Sequence, residues 1–423
     1  MRQIFMSGSI KALLAVCLTA SLPLSSQRPP SPTDLTSHPF FITKTWIVGG
    51  AGEWGYMTMD PVARQLFIAH GPAVQVVDVA AGTLAGSVTG LREARSVALD
   101  PAGEFGYITD GPADQVRVFD RRTLQVVASI PTGPAPRSLA LDQRTKLLLV
   151  VGAQSPSETP GVDTRSTARA GEAGGSTAPK TESTITVVDA EARKQLAQIV
   201  LPGSLGLAEA DGKGRVYITV SDRNQILRLD AQAISSVLQR APSSPALSQT
   251  PTAATNESAA LLDWASGAPP AEARPRTFSL GDNCEEPRAL AVDSPHSRIF
   301  VACTNMKMAV LNSDTGASVA SVPIGPGADG VAYDPDRGLI FSANGGAQGS
   351  LTIIRQDVTD TYSVVQILPT RQRARTVAVN PSTGEIYLVT VLYGAELNRP
   401  PINGAPLKMS SVDSSFQVLV VGN

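Results

Sequence analysis

Short runs in which apolar and polar residues alternate recur along almost the whole chain. Gln65–His70 reads QLFIAH, Phe105–Asp110 FGYITD, Arg215–Val220 RVYITV, Arg298–Cys303 RIFVAC and Glu385–Thr390 EIYLVT. A period of two, rich in Val, Ile, Leu and Thr, predicts strands and not helices. The runs come in ordered groups. A first run ends in Asp or Asn, often followed by Pro; a second follows; a third ends in Asp; a fourth closes on Gly. Asp-Pro and Asp-Gly pairs at the first junction predict tight turns.

The residues that end the first runs are Asp60, Asp100, Asp142, Asp211, Asp293, Asp334 and Asn380, spaced by 40, 42, 69, 82, 41 and 46 residues. Most intervals sit near 42, the length of a four-stranded propeller blade. The two long intervals each contain one low-complexity stretch, 154–183 (Ser, Thr, Gly, Pro) and 231–275 (Ala, Ser, Pro). Such composition cannot bury enough apolar surface to order itself, so both are expected to be disordered surface loops. The seventh unit ends at Gly422 without a fourth run, while an orphan run, 40–50 (FFITKTWIVGG), precedes the first. Giving that run to the last unit removes two exposed strand edges. The expected fold is all-β: one seven-bladed propeller of four-stranded antiparallel blades over residues 38–423, closed by the N-terminal strand, with a long loop at 393–415.

These residues resemble the YVTN-type, YncE-like β-propeller proteins of bacteria. The resemblance covers about His38 to Asn423 and is most specific at Cys284–Pro287 (CEEP), Val301–Met308 (VACTNMKM) and Phe416–Gly422 (FQVLVVG). Asn312–Gly316 (NSDTG) follows the family's Asp-x-x-Thr-Gly pattern after a third strand. The resemblance implies an exported seven-bladed propeller, generally without assigned chemistry. The two insertions and the 393–415 loop depart from it, as does Thr304, where a histidine beside the second cysteine would be expected.

Composition narrows the function. Among 423 residues, 42% are hydrophobic, 17% charged and 5% aromatic, and the formal net charge is −2, so no global basic field draws nucleic acid or anionic membrane. Arg2 and Lys11 precede an apolar run, Ala12–Leu24, that yields to Ser25-Ser26-Gln27. That is the pattern of a secretory signal peptide (1–26), with 27–37 a disordered lead-in; the run is too short to span a bilayer at roughly 20 residues per crossing. A lipobox reading at Cys17 is the minor alternative. The mature chain is expected in the periplasm or outside the cell, without a membrane span, and as a monomer.

Three histidines leave little for catalysis. His38 lies in the lead-in, His296 in a first hairpin turn, and only His70 is expected at the top face. No nucleophile elbow, HExxH, P-loop, dinucleotide fingerprint or calcium loop is present. Scattered acids (Glu53, Glu285, Glu286, Asp329) would converge as in metal-dependent lactonase propellers, which keeps a hydrolase as the enzymatic alternative. A nucleic-acid-binding propeller is a further one. No cofactor or metal site is expected. Removal of Cys17 leaves Cys284 and Cys303 in an oxidising compartment. Counting back from the turn at 294–297 sets Cys303 opposite Arg288, close enough to Cys284 for a disulfide after a modest bend of the loop. Free thiols, or a soft metal site with Met306 and Met308, are the alternatives.

Five residues before each Asp or Asn anchor stand Gly55, Arg95, Arg137, Gly206, Arg288, Asp329 and Arg375. Repeat symmetry places all of them around one end of the central channel. Four arginines against a single acid predict a locally positive mouth, with Arg371 and Arg373 beside it. Guanidinium forks suit carboxylate, phosphate or sulfate. The expected function is therefore binding, without catalysis, of a small anionic ligand, an envelope polymer or a protein partner by Arg95, Arg137, Arg288, Arg375, Asp329 and Glu286. In the alternative, each arginine braces a neighbouring blade by bonding loop carbonyls or Glu93, Glu285 and Glu286.

Overall fold

A computed structural model describes residues 38–50, 52–100, 103–153, 181–240, 260–261, 273–357, 360–395 and 409–423. The signal segment, the lead-in 27–37 and most of both insertions lie outside the described residues. The rest forms seven sheets, the blades of a propeller, each built on four antiparallel strands, plus a short hairpin of Tyr393–Ala395 with Met409–Ser411. Blade 1 comprises Trp54–Asp60, Gln65–His70, Ala73–Asp78 and Thr83–Val88. Blade 7 is assembled from both ends of the chain: Phe41–Ile47 lies antiparallel to Gln417–Gly422 as its outermost strand. The preceding residue reaches the neighbouring blade as well. Phe40 is buried against Phe341, and its backbone N–H and C=O bond the Gln366 side-chain amide, both at 2.8 Å.

The recurrent Asp residues are there because they cap hairpins at one end of the blades. Oδ1 of Asp60 accepts from the N–H groups of Val62 and Ala63, and Asn380 does the same for Ser382. At third-strand ends, Asp78 serves Ala80 and Ala81, and Asp120 serves Arg122 and Thr123. These Asx turns satisfy backbone donors that the ladder leaves unpaired.

Seven hydrophobic clusters hold the ring, each shared by two consecutive blades. Their largest members repeat: Phe67, Tyr107, Tyr217, Phe300, Phe341 and Tyr387 occupy one position of the second strand and are essentially fully buried. Replacing one such ring by Ala leaves a cavity costing about 3–5 kcal/mol. Because each core belongs to a pair of blades, no blade can bury its faces alone.

Two expectations change. Residues 231–240, assigned from composition to a disordered insertion, form an α-helix. Asp230 Oδ1 accepts from the Ala233 N–H at its start, and Ala231, Ile234 and Leu238, at helical spacing, pack on the core between blades 3 and 4. The second insertion also contributes a strand, Ala260–Leu261, laid parallel against the outer edge of blade 3. The first insertion ends earlier than 183, since the strand Glu182–Asp189 starts inside it. The other change is register. Pro287, not Arg288, sits opposite Cys303, because a bulge interrupts the ladder between Pro287 and Ala289.

Candidate functional site at the channel mouth

That bulge is one of a series. Between the first and second strands the register shifts at Trp54/Met57, Ala94/Val97, Pro136/Ser138, Leu205/Ala208, Pro287/Ala289 and Ala328/Gly330. Each irregularity falls at or beside the repeat position of Gly55, Arg95, Arg137, Gly206, Arg288 and Asp329. A bulge bends the strand and re-aims its side chain. Two residues earlier, Ala135, Glu286 and Arg373 adopt left-handed φ of 45°, 44° and 60°, although none is glycine. Strain of this kind gathers where a surface is held for use.

The seven positions line a single recess at the channel mouth, of about 610 Å³, a size typical of ligand sites. It gathers Arg95, Arg137, Arg288, Arg375 and Asp329, together with Glu93, Trp54 and Tyr56, while Glu286 stands at the rim outside the lining. Gly55 is required here: a Cβ would lie 2.0 Å from the Arg95 carbonyl oxygen of the next blade.

The positive mouth needs correcting. Glu93 pairs with Arg95 at 2.6 Å, and Glu286 with Arg288 at 3.1 Å. Arg375 lies 3.4 Å from Asp329 and 3.7 Å from Glu53, which also binds Arg373. The lining thus sets four guanidinium groups against three carboxylates, Glu93, Asp114 and Asp329, with Glu53, Glu286 and Arg373 just outside it. The Arg288 pair is exposed and the Arg95 pair half-exposed, and each is worth about 0–1 kcal/mol. Arg375 is different: half-buried, it stacks with Arg373 on the buried Trp54 ring, 5.4 and 5.2 Å from its centroid. It ties blade 7 to blades 1 and 6, so the bracing alternative describes Arg375. Arg137 is exposed and has no ion-pair or hydrogen-bond partner among the described residues.

Tyr56, next to Gly55, escaped the sequence reading because a lone tyrosine breaks the repeat pattern instead of following it. Its phenol is half-buried in the channel wall and lies in the field of Asp329, Arg375, Arg137 and Arg288. Burial raises its pKa far above the ordinary value, so the hydroxyl stays protonated and donates. Burial also raises Asp329, with Arg375 and Arg288 pulling the other way.

His70 is not at the open face. It is buried, stacked 3.8 Å from Phe416, and bonded to Gln75 Oε1 (2.9 Å) and the Gly52 carbonyl (3.2 Å). Its pKa is lowered by burial, and the neutral imidazole, with a single N–H, donates to only one of these two acceptors, which makes it a structural group. Cys284 and Cys303 form a disulfide, Cα–Cα 5.2 Å, and both are buried. The bond fixes the loop that carries Glu286 and Arg288. Among the described residues, no group of three or more His, Cys, Asp or Glu is arranged to hold a metal.

No family model and no curated protein matches this sequence. Solved structures do match in fold. The WD40 repeats of RRP9 align with TM-score 0.60 and 8% identity over 90% of this chain and 97% of theirs. U3-55K aligns with TM-score 0.59 and 8% identity, over 88% and 97%. A chain of the Mitotic Checkpoint Complex aligns with TM-score 0.59 and 12% identity, over 98% and 99%. At these identities the likeness shows the fold: a seven-bladed β-propeller. Among the described residues no helix is long and apolar enough to cross a membrane.

Proposed function

We propose that this is an exported binding propeller whose channel mouth takes a small anionic ligand. One observation carries the reading: seven equivalent positions, six of them at recurrent bulges, converge on one recess, and Arg137 presents there a guanidinium with no ion-pair or hydrogen-bond partner among the described residues. A buried disulfide suits an oxidising compartment, and the YVTN-type resemblance supports export. The lactonase-like alternative loses support because the acids at the mouth are engaged by arginines and do not converge as a ligand set. A nucleic-acid ligand has neither a basic stripe nor net charge in its favour. A protein partner on the same face is a second reading, since one neighbour in fold is a chain of the Mitotic Checkpoint Complex.

The test is thermal denaturation with sulfate or acetate against chloride at matched ionic strength. Wild type is expected to gain in Tm with the oxyanions. Arg137→Gln with Arg288→Gln should remove that gain while leaving the unliganded Tm nearly unchanged. A wild type indifferent to every anion places the site elsewhere.

A further inference from the structure

The recess holds more than positive charge, and the additional groups narrow the ligand. Tyr56 extends from blade 1 to a point influenced by residues of blades 3, 5, 6 and 7. Its hydroxyl makes no hydrogen bond within the described residues and cannot ionise at any ordinary pH, so it offers one donor. Arg137 offers a fork of donors with no acceptor opposite among the described residues. Asp329 offers the reverse. Its sole partner among the described residues is Arg375 at 3.4 Å, and a carboxylate has about four lone-pair sites, so acceptor capacity stays open. Donors and a free acceptor therefore surround the same phenol.

A plain oxyanion uses half of this arrangement and meets Asp329 as a like charge. A bare cation meets Arg137, Arg288 and Arg375. A molecule with a carboxylate and an adjacent ammonium uses both halves and brings little net charge into a recess whose own charges nearly cancel. Resting on the anion-binding reading above, we propose that the recess is a site for a small α-amino carboxylate. The carboxylate is held by Arg137 and the Tyr56 hydroxyl, with Arg288 beside them, and the ammonium by Asp329. The volume, about 610 Å³, admits such a molecule with several waters.

Isothermal titration at low ionic strength with L-alanine, acetate and methylammonium tests this. L-Alanine is expected to bind at least about tenfold tighter than acetate, and methylammonium not measurably; opposed charges within one ligand account for a difference of that order. Asp329→Asn should weaken L-alanine about tenfold and leave acetate equal or tighter. Tyr56→Phe should weaken both by the same factor. If acetate binds as well as L-alanine to wild type, the inference is overturned while anion binding stands. If neither binds, and Arg137→Gln changes nothing, both readings fall. Should Asp329→Asn lose its fold by freeing Arg375, the L-alanine to acetate ratio in wild type decides the matter alone.

Discussion

The two sides of the channel mouth put the same repeat position to opposite uses. On the side of blades 6, 7 and 1, Arg375 is sandwiched among Asp329, Glu53 and the Trp54 ring, half out of water, and its charge is satisfied inside the protein. On the side of blades 2 to 5, Arg95 and Arg288 hold only carboxylates two residues back, and Arg137 holds none among the described residues. The braced side is fastened by ion pairs and an aromatic ring. The open side is fastened by a covalent bond at Cys284–Cys303, which leaves its arginines free to face the recess. An arginine does not declare its role by its place in a repeat; the acids and rings within reach of it decide.

Breaking the fastening of the open side should have the largest effect. Replacing Cys284 and Cys303 by Ser frees a loop with a sequence separation of 19 residues, and the chain-entropy account puts the loss at about 3 kcal/mol, measured by urea denaturation. The anion response should also weaken, because Arg288 follows Pro287, which is paired with Cys303. Next in size, Arg375→Ala removes the cross-blade brace and strands Asp329. Its partial exposure reduces the penalty of a broken buried pair to about 2 kcal/mol. Arg137→Ala on the open side should fall within about 0.5 kcal/mol. Equal losses for the two variants would abolish the distinction between the sides.

Much of this was legible in the sequence because repetition amplifies weak signals. Seven spaced Asp or Asn residues and seven alternating second strands spelled out the blades, since each Asp caps a turn and each strand must face two neighbours. The ring of Arg95, Arg137, Arg288, Arg375 and Asp329 followed from repeat position alone. What repetition hides is what differs between units. Tyr56 occurs once, so no period announced it. The acids Glu53, Glu93 and Glu286 lie in loops whose folding back depends on left-handed turns such as that at Glu286. The helix at 231–240 was concealed by an Ala/Ser composition shared with its flanks, although Ala231, Ile234 and Leu238 keep a helical period. The bulge at Arg288 shifted Cys303 by one residue, which no count of strand positions reveals.

The smallest predicted effect tests whether the lumen below the mouth behaves as water or as protein. Glu209 lies on the innermost strand of blade 4, three residues beyond Gly206. Its side chain is exposed to the lumen, yet the surrounding blades exclude enough solvent to raise its carboxyl above the ordinary value. The equivalent positions elsewhere are Thr58, Ala98, Ala140, Ala291, Ala332 and Ala378, so no charge stands beside it. A carboxyl with a raised native pKa keeps its proton in the folded state after the unfolded chain has lost it. Stability contributed by this group is therefore complete below the unfolded value and declines as pH rises through the raised native one. Glu209→Gln cannot titrate and should remove that decline. Because lumen water screens the charge, the gain at pH 8 relative to pH 4 should be small, on the order of 1 °C in Tm. The measurement is the difference in Tm between variant and wild type across that range. A constant difference would mean that the lumen solvates Glu209 as fully as bulk water does, and that the channel mouth acts as a surface depression instead of an enclosed site.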